Sequence, residues 1–352
     1  MRIAINGFGR IGRSFFRQAW EDSSLDIVAI NDLGNVHNLA HLLSFDTVYR
    51  AYGKMIGVQP ASPGVKLPPA EVDGTNAKGK LTVDDKKILF FQEADPKNLP
   101  WKKLKIDVVI EATGHFADYT KAKAHLEAGA KKVIITAPAK GEEGKDGRTV
   151  LLGINDKERD NFSIISNGSC TTNAVAPVIE VLKEKIGIKK AILNTVHAYT
   201  STQSLVDGPC EKDWRRGRAA SDNIVPSTTG AAKCVGKVIP DLEDKFDGIA
   251  LRVPVICGSI ADITFVASKK TTKEKINKIF IDASKEERWK DILDVTNVPV
   301  VSSDFIKVAT PAVVDLDFTQ VVDGDLVKVL IWYDNEWGYS WTLVEQLKRL
   351  KL

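Results

Sequence analysis

The chain has 352 residues, of which 43% are hydrophobic and 27% charged, and its formal net charge is +3. This length exceeds what one ordinary hydrophobic core serves, so two domains are expected. The composition is typical of a globular protein, and no apolar run approaches the roughly 20 residues that span a bilayer. Charges of both signs are mixed along the chain, which argues against a dedicated nucleic-acid binder.

The cysteine pattern bears on metal binding and on compartment. Cys170, Cys210, Cys234 and Cys257 have neither the spacing of a zinc site nor that of a disulfide framework. We therefore predict no metal. The first residues already form a predicted strand, which leaves no room for a signal or transit peptide, and we expect a cytoplasmic location.

A glycine-rich turn follows the first strand. Arg2–Asn6 is a short apolar strand, and an amphipathic helix is predicted from about Arg10 to Trp20. The GxGxxG pattern between them allows a tight turn and close approach of a pyrophosphate to the helix N-terminus. The residues predicted to bind the cofactor here are Gly7, Gly9, Arg10, Ile11 and Gly12.

A second strand, Asp26–Asn31, ends at Asp32, where a dinucleotide fold places an acidic residue. A carboxylate at this position binds the adenosine ribose hydroxyls and repels a 2′-phosphate, so Asp32 predicts NAD rather than NADP. The alternative is that Asp32 caps the helix beginning near Asn35.

The same alternation of strand and helix continues, with a strand at 106–111, a helix near 118–128 and a strand at 132–136. It predicts an α/β fold, a Rossmann-type doubly wound parallel sheet. Thr113, Gly114 and Thr136 fall at carboxyl ends of strands, where such folds bind ligands. We predict that they line the cofactor cleft, although ordinary strand termination explains the same residues.

The segment Ser166–Asn173 reads SNGSCTTN and lies between a buried strand and an apolar helical pattern over Ala174–Leu182. Cys170 is thus placed at a strand-to-helix turn, where free N–H groups and the helix dipole stabilise a thiolate. Pro177 either kinks this helix or moves its regular start to near Ala174.

A cysteine at such a turn is more often a packing residue than a nucleophile. Here hydroxyl and amide side chains flank it, which are poor core material. His197 ends a strand-like run and could pair with Cys170, and a Cys–His pair yields a thiolate near neutral pH. We predict that Cys170 and His197 are catalytic.

The remaining chain predicts a second, α+β catalytic domain with a mostly antiparallel sheet. Strands near 249–255, 261–268 and 326–333 alternate apolar and polar residues, and helices are expected at 271–284 and 338–350. Two loops stand out. Residues 59–79 predict an exposed loop without regular structure, and the polar loop 200–232 is expected to be functional.

Several motifs occur in a fixed order along nearly the whole chain. After INGFGRIGR come SNGSCTTN, HAYT, KDWRRGRAA, STTGAAK, RVP and WYDNEWGY. In this order they resemble the phosphorylating glyceraldehyde-3-phosphate dehydrogenase family. Gly168 stands where alanine is usual, and Ala174 where many members carry a second cysteine.

The resemblance implies that glyceraldehyde 3-phosphate is oxidised by NAD and captured by inorganic phosphate as 1,3-bisphosphoglycerate. Cys170 would attack the aldehyde and His197 would act as base. It further implies that Thr200 and Arg252 bind the substrate phosphate. The groups implied to bind inorganic phosphate are Ser169, Thr171, Thr229 and Gly230.

By the same resemblance, Asn335 hydrogen-bonds the nicotinamide carboxamide and Tyr339 packs against the ring. From the residues alone, this aromatic segment is interpreted as core. The implied assembly is a homotetramer. The predicted domains are an NAD-binding domain, 1–169, on which the C-terminal helix 336–352 packs, and a catalytic domain, 170–335.

Some alternatives stay open. Arg215, Arg216 and Arg218 form either a positive field near the site or a subunit contact. The runner-up activity is that of erythrose-4-phosphate dehydrogenase, whose members tend to carry Glu in place of Asp32. A catalytically silent NAD- or RNA-binding protein on the same scaffold is the alternative from another class.

Overall fold

The computed structural model describes residues 1–60 and 74–351, and the chain forms two compact units. The first comprises Met1–Thr149, Lys157–Asn167 and Leu343–Leu352. The second comprises Val150–Asp156 and Gly168–Thr342. Within the described ranges, no helix is long and apolar enough to cross a membrane.

The first unit contains nine strands and three complete helices among its described residues. They are β1 (Arg2–Asn6), α1 (Arg10–Ala19), β2 (Asp26–Asn31), α2 (Val36–Ser44), β3 (Ile56–Gln59), β4 (Gly79–Val83), β5 (Lys86–Phe91), β6 (Val108–Glu111), α3 (Tyr119–Glu127), β7 (Lys132–Ile135), β8 (Arg148–Thr149) and β9 (Ile164–Ser166).

These strands form one sheet in the order β3-β4-β5-β2-β1-β6-β7-β9-β8. All pairs from β5 to β8 are parallel, and only β3 with β4 and β4 with β5 are antiparallel. The strand order reverses between β1 and β6, which is where doubly wound sheets bind ligands. The predicted Rossmann-type sheet is confirmed.

The apolar sequence of the central strands explains their position. Ile3, Ala4 and Ile5 of β1 are fully buried, as are the valines of β6, because the strands of a parallel sheet are covered on both faces. Trp101 is also fully buried and contacts Phe91 edge-on at a ring distance of 6.0 Å. The predicted bounds of α1, β2, β6 and β7 agree with the structure to within two residues.

The second unit contains the remaining elements. They are α4 (Cys170–Ile186), β10 (Ile188–Ala198), β11 (Val225–Thr228), α5 (Ala231–Val238), β12 (Phe246–Val253), β13 (Ser259–Ala267), α6 (Lys273–Ala283), β14 (Leu293–Thr296), β15 (Ala312–Val322), β16 (Leu326–Tyr333) and the first half of α7 (Trp337–Lys348).

The second sheet has the order β11-β12-β10-β13-β16-β15-β14. Four of its six pairs are antiparallel, whereas β10 with β12 and β14 with β15 are parallel. The prediction of a mostly antiparallel sheet is therefore confirmed. One face packs under α4, whose residues Ala174, Val178 and Leu182 are fully buried in the core.

The two sequence alternatives for α4 are resolved by its start. The helix begins at Cys170 and continues past Pro177 to Ile186. The N–H of Asn173 already donates to the Ser169 carbonyl at 3.0 Å, so a regular start near Ala174 is wrong. Pro177 only leaves one carbonyl of the preceding turn without its usual donor.

The two predicted loops have different outcomes. Most of 59–79 lies outside the described residues, although Gln59 ends β3 and Gly79 begins β4. The loop 200–232 contains more regular structure than its polar sequence predicts. It includes a short 3-10 helix at Trp214–Gly217 and the edge strand β11, which carries Pro226.

Candidate active site

The glycine-rich turn of the first unit packs too tightly for side chains at two positions. Gly7 has a φ of +95°, and a Cβ there would lie 2.7 Å from backbone atoms of Ala112 and Thr113. A Cβ on Gly12 would meet the Gly7 carbonyl oxygen at 2.2 Å. A Cβ on Gly9 would have open space around it. The turn therefore leaves room for a ligand beside Gly9, at the uncapped N-terminus of α1.

Asp32 follows β2 and contacts this turn directly. Its Oδ2 accepts the Phe8 N–H at 2.6 Å, and its Oδ1 accepts the Gly34 N–H at 2.7 Å. The side chain that caps α2 is that of Asn35, which accepts from His37 and Asn38. The capping alternative for Asp32 is therefore wrong, and its carboxylate is held beside the glycines.

A cavity of about 510 Å³ opens at the carboxyl ends of β1, β2 and β6. It brings together four predicted cofactor residues, Gly7, Gly9, Asp32 and Thr113. The other lining residues are Asn6, Asn31, Leu33, Glu93, Ala94, Ala112, His115 and Phe116. The cavity lies where the strand order of the sheet reverses, and it is lined by a carboxylate and by a glycine that has no room for a side chain. These features fit a dinucleotide.

The remaining predicted cofactor residues lie outside this lining. Ile11 and Gly12 are in the first turn of α1, and Arg10 forms an ion pair with Asp46. Gly114 follows β6 with a φ of +73°. Thr136 follows β7 and donates its N–H to the Glu111 carbonyl at 3.0 Å.

A buried polar network behind the cavity was missed by sequence reasoning. Glu111 accepts from Asn6 Nδ2 at 2.6 Å, from the Thr113 N–H at 2.9 Å and from the Thr113 hydroxyl. Its Oε2 also lies 3.0 Å from His125 Nε2. Trp101 Nε1 contacts His125 Nδ1 at 3.1 Å. An indole N–H only donates, so Nδ1 accepts and Nε2–H donates to Glu111.

In the second unit, Cys170 is the first residue of α4. Ser169 is the N-cap, and its Oγ accepts the Thr172 N–H at 3.0 Å. The Thr172 hydroxyl in turn contacts the Ser169 N–H at 3.2 Å. This capping box fixes the helix start and presents the half-buried thiol of Cys170 at the positive end of the helix.

The register of the sheet positions the histidine. His197 pairs with Arg252 across the parallel strands β10 and β12, so their side chains lie side by side. His197 Nε2 is 3.4 Å from Cys170 Sγ. The predicted Cys–His contact is therefore present in the structure.

The other ring nitrogen of His197 has two neighbours. Nδ1 is 2.7 Å from the Ala198 carbonyl oxygen and 2.6 Å from Arg252 Nη1, which also donates to that oxygen at 3.1 Å. A neutral imidazole carries one hydrogen. The Ala198 oxygen only accepts and Arg252 Nη1 only donates, so these two neighbours favour opposite tautomers. The tautomer with its hydrogen on Nδ1 is the one that turns the Nε2 lone pair toward the sulfur.

The electrostatics of the pair favour its neutral form. Burial lowers the pKa of His197 to about 3, and the positive charge of Arg252 acts in the same direction. Burial raises the pKa of the Cys170 thiol. Arg252, the Thr171 hydroxyl and the N–H groups of Thr171 and Cys170 oppose that rise. Both shifts favour the neutral thiol and the neutral imidazole over a thiolate–imidazolium pair.

A chain of hydroxyls lies beside the pair. Tyr333 OH is 2.9 Å from Thr171 Oγ1 and 2.8 Å from Thr195 Oγ1. The Tyr333 ring meets the His197 ring edge-on at 6.0 Å. Thr171 Oγ1 is 4.0 Å from Cys170 Sγ. The hydroxyl of Thr171, predicted to bind phosphate, is thus oriented by a buried tyrosine.

The other predicted phosphate ligands belong to loops and helix starts. The Thr200 and Thr202 hydroxyls lie 2.9 Å apart. Thr229 Oγ1 accepts the Ala231 N–H at 3.2 Å, and Gly230 precedes α5 without a side-chain cap. Arg252 reaches His197, as described above.

Asn335 and Tyr339 occupy buried positions. Asn335 follows β16, and its Oδ1 accepts from the Gly258 N–H at 3.1 Å and lies 3.0 Å from the Ser259 hydroxyl. Tyr339 in α7 donates its OH to the Gly168 carbonyl at 3.0 Å. Tyr339 thereby anchors the residues just before the nucleophile.

The three arginines of the 200–232 loop are paired locally. Arg215 contacts Asp213 at 3.0 Å and Arg218 contacts Asp207 at 2.9 Å. Arg216 donates to the Ser227 hydroxyl at 2.6 Å. These contacts stabilise the fold of the loop itself.

Two features define the class of this protein. One is the dinucleotide cavity on a doubly wound sheet, and the other is the cysteine–histidine pair at a helix N-terminus. Together they are typical of nicotinamide-dependent dehydrogenases that oxidise aldehydes through a cysteine.

Comparison with known proteins narrows the class. Residues 1–119 match the family model "Glyceraldehyde 3-phosphate dehydrogenase, NAD binding domain", and residues 169–335 match the corresponding C-terminal domain. Similar curated proteins include glyceraldehyde-3-phosphate dehydrogenase of Mycobacterium tuberculosis, 46% identical over 98% of this chain and 97% of the relative. Glyceraldehyde-3-phosphate dehydrogenase 2 of Bacillus subtilis is 43% identical over 99% and 96%. The chain belongs to the glyceraldehyde-3-phosphate dehydrogenase family.

Proposed function

We propose that the chain oxidises D-glyceraldehyde 3-phosphate with NAD and inorganic phosphate to 1,3-bisphosphoglycerate, through a thioester on Cys170. The observation that carries this proposal is the 3.4 Å contact between Cys170 Sγ and His197 Nε2 at the start of α4. NAD, when bound, accepts a hydride from the substrate.

In the first step, Cys170 sulfur attacks the aldehyde carbon. His197 Nε2 takes the thiol proton as the C–S bond forms and passes it to the carbonyl oxygen, which becomes the hydroxyl of a thiohemiacetal. A base at hydrogen-bond distance is required because burial holds the pKa of the thiol high. The N–H groups at the start of α4 stabilise negative charge on sulfur.

In the second step, His197 accepts the hydroxyl proton while the carbon loses its hydride, which leaves a thioester. An oxygen of inorganic phosphate then attacks the thioester carbon and the C–S bond breaks. Cys170 takes the proton held by His197, the attacking phosphate releases its own proton to solvent, and the acyl phosphate departs. An oxygen ester would be less activated toward phosphate, which is why a thiol suits this chemistry.

Two anions have to be held during these steps. We assign the substrate phosphate to Thr200 and Arg252, and inorganic phosphate to Ser169, Thr171, Thr229 and Gly230. The charge of Arg252 and the uncapped start of α5 beside Gly230 support this assignment. Gly7, Gly9, Asp32, Thr113 and the neighbouring glycine-loop residues are assigned to NAD, and Asn335 and Tyr339 to its nicotinamide.

One assay tests the activity. NADH absorbance is followed with glyceraldehyde 3-phosphate in the presence and absence of inorganic phosphate, with Cys170→Ser as the control. We expect a phosphate-dependent rise in the wild type only. If NADH forms equally well without inorganic phosphate and faster with erythrose 4-phosphate, the protein is the runner-up, erythrose-4-phosphate dehydrogenase. No rise with either sugar would indicate a silent scaffold.

A homotetramer is proposed for the assembly. Ile192, Ile249, Phe318 and Val322 on strands of the second sheet are each more than 50% exposed, and a neighbouring subunit would cover such large apolar side chains. Light scattering on the purified protein checks the mass. A monomer at micromolar concentration would contradict the proposal.

Compartment and partners complete the proposal. The four cysteines are free, which supports a reducing compartment such as the cytoplasm. The local pairing of Arg215 and Arg218 supports the absence of a dedicated nucleic-acid surface. Residues 1–169 with the C-terminal helix are proposed to bind NAD, and 170–335 to carry the catalytic residues.

A further inference from the structure

Ser259, at the start of β13, is 1% exposed, and the reaction above gives it no role. Its Oγ is 3.1 Å from the Ala198 N–H and 3.0 Å from Asn335 Oδ1. A backbone N–H only donates, so Oγ accepts from Ala198 and turns its own hydrogen toward Asn335. The directions of both hydrogen bonds follow from the chemistry of the partners.

The orientation of the Asn335 amide follows in the same way. The Gly258 N–H, 3.1 Å away, also only donates, so the amide atom that faces it is oxygen. Nδ2 has no hydrogen-bond partner among the described residues. It is also not one of the fully buried polar atoms that lack a partner there. The two N–H hydrogens of the amide remain available to a ligand, although Asn335 is only 5% exposed.

The backbone on both sides of this contact is fixed. Gly258 has a φ of +91°, and a Cβ there would lie 2.4 Å from the Ser302 carbonyl oxygen. Asp334 accepts the N–H groups of Glu336 and Trp337 at 2.8 and 2.7 Å. Ser259 and Gly258 both hydrogen-bond to Asn335 Oδ1, and these two contacts restrict rotation of its amide.

Ser259 also connects Asn335 to the base. The residue whose N–H it accepts, Ala198, presents its carbonyl 2.7 Å from His197 Nδ1. One hydroxyl therefore bridges the segment that carries His197 and the amide assigned to the nicotinamide.

We propose that Ser259 is a positioning residue that holds the Asn335 amide with its NH₂ group toward the nicotinamide carboxamide, and so keeps hydride transfer on one face of the ring. The proposal rests on the role assigned to Asn335 above. Ser259 acts through Asn335, and a carboxamide oxygen is the acceptor that the free NH₂ group fits.

The test uses the full protein and four variants, Ser259→Ala, Ser259→Thr, Asn335→Ala and the double variant. Ser284→Ala, which removes a hydroxyl elsewhere in the same unit, is the control. The readouts are kcat, KM for NAD, and NMR of the reduced cofactor after transfer from substrate deuterated at the aldehyde carbon. The NMR spectrum gives the fraction of deuterium on each ring face.

For Ser259→Ala we expect KM for NAD to rise about fivefold, the usual effect of one lost hydrogen bond, together with deuterium on the opposite face. Ser259→Thr keeps the hydroxyl and should retain single-face transfer. In the Asn335→Ala background, removing Ser259 should change KM by less than about twofold, since its effect passes through the missing amide.

Two results would overturn the proposal without touching the proposed function. In the first, Asn335→Ala changes KM for NAD and the ring face that receives deuterium, whereas Ser259→Ala changes neither quantity. The other is an equal effect of Ser259→Ala in both backgrounds. If Asn335→Ala itself changes neither quantity, the role assigned to Asn335 fails instead.

Discussion

Arg252 Nη1 lies 2.6 Å from His197 Nδ1, while Cys170 approaches the other ring nitrogen of the same histidine. A permanent positive charge is thus placed against the base that has to accept a proton. It lowers the pKa of His197 and also lowers that of the Cys170 thiol. The same charge therefore opposes protonation of the base and favours ionisation of the nucleophile.

Replacing Arg252 by Gln should separate these two effects. Since the charge lowers both values, its removal raises the pKa of His197 from about 3 and raises that of Cys170 further. Iodoacetamide alkylation of Cys170 at a fixed pH should slow about tenfold for each pKa unit. NMR titration of His197 reports the other shift. Arg218→Gln is the control, and unchanged alkylation in Arg252→Gln would contradict the prediction.

Cys170→Ser should abolish phosphate-dependent NADH formation, because a hydroxyl lacks the nucleophilicity of a thiolate. NAD affinity should stay within about twofold, since the dinucleotide cavity lies in the other unit. Steady-state rates and calorimetric titration measure the two quantities. Cys210→Ser, which removes another half-buried thiol, should remain active. Substantial turnover by Cys170→Ser would end the nucleophile assignment.

His197→Asn should impair two steps that can be measured separately. Loss of the base should slow alkylation of Cys170 near neutral pH, because the group at hydrogen-bond distance that takes the thiol proton is gone. It should also slow single-turnover NADH formation at alkaline pH, where the thiol is already ionised. His41→Asn, which changes an exposed histidine of α2, is the control. A wild-type alkylation profile would mean that His197 does not activate Cys170, and a normal hydride step would assign the base to another group.

Asp32→Ala should lower the preference for NAD over NADP, because it removes the charge that repels a 2′-phosphate. It also removes the acceptor of the Phe8 and Gly34 N–H groups, so the melting temperature should fall. Asp32→Asn keeps an acceptor and should retain more stability while losing the charge. Steady-state constants for both cofactors test this, and an unchanged ratio would place the selectivity elsewhere.

Trp101→Phe should destabilise the first unit by about 1 to 3 kcal/mol, because His125 Nδ1 loses its buried donor. Glu111→Leu should cost more, since it strands the donors of Asn6, Thr113 and His125 together. Urea unfolding gives both values. Trp20→Phe, in which the indole is only partly buried, is the control. Equal stability of Trp101→Phe and wild type would contradict the tautomer assigned to His125.

Sequence reasoning reached features that local patterns encode. The bounds of β2 and β16 and the contact of Cys170 with His197 follow from periodicity, glycine spacing and residue chemistry. The parallel pairing of β10 with β12 does not, because it depends on a crossover. Edge strand β11 was not predicted, because Pro226 within it argues against a strand.

The buried network behind the cavity was out of reach for a different reason. Asn6 and Glu111 are separated by 105 residues, and Asn6 and His125 by 119. No window of sequence connects them, and each alone is interpreted as an ordinary polar residue at a strand end or on a helix. Similarly, the role proposed for Ser259 depends on its contacts with Ala198 and Asn335, which are distant from it in sequence.

The burial of Trp101 has a consequence for hydrogen exchange. Its indole hydrogen is bonded to His125 in the first unit, and both side chains are fully buried. The Tyr333 hydroxyl hydrogen lies in the second unit, also buried. In heavy water the indole hydrogen should survive until the first unit opens, on a timescale of minutes or longer. A single resonance would thus record the opening free energy of one unit separately from that of the other.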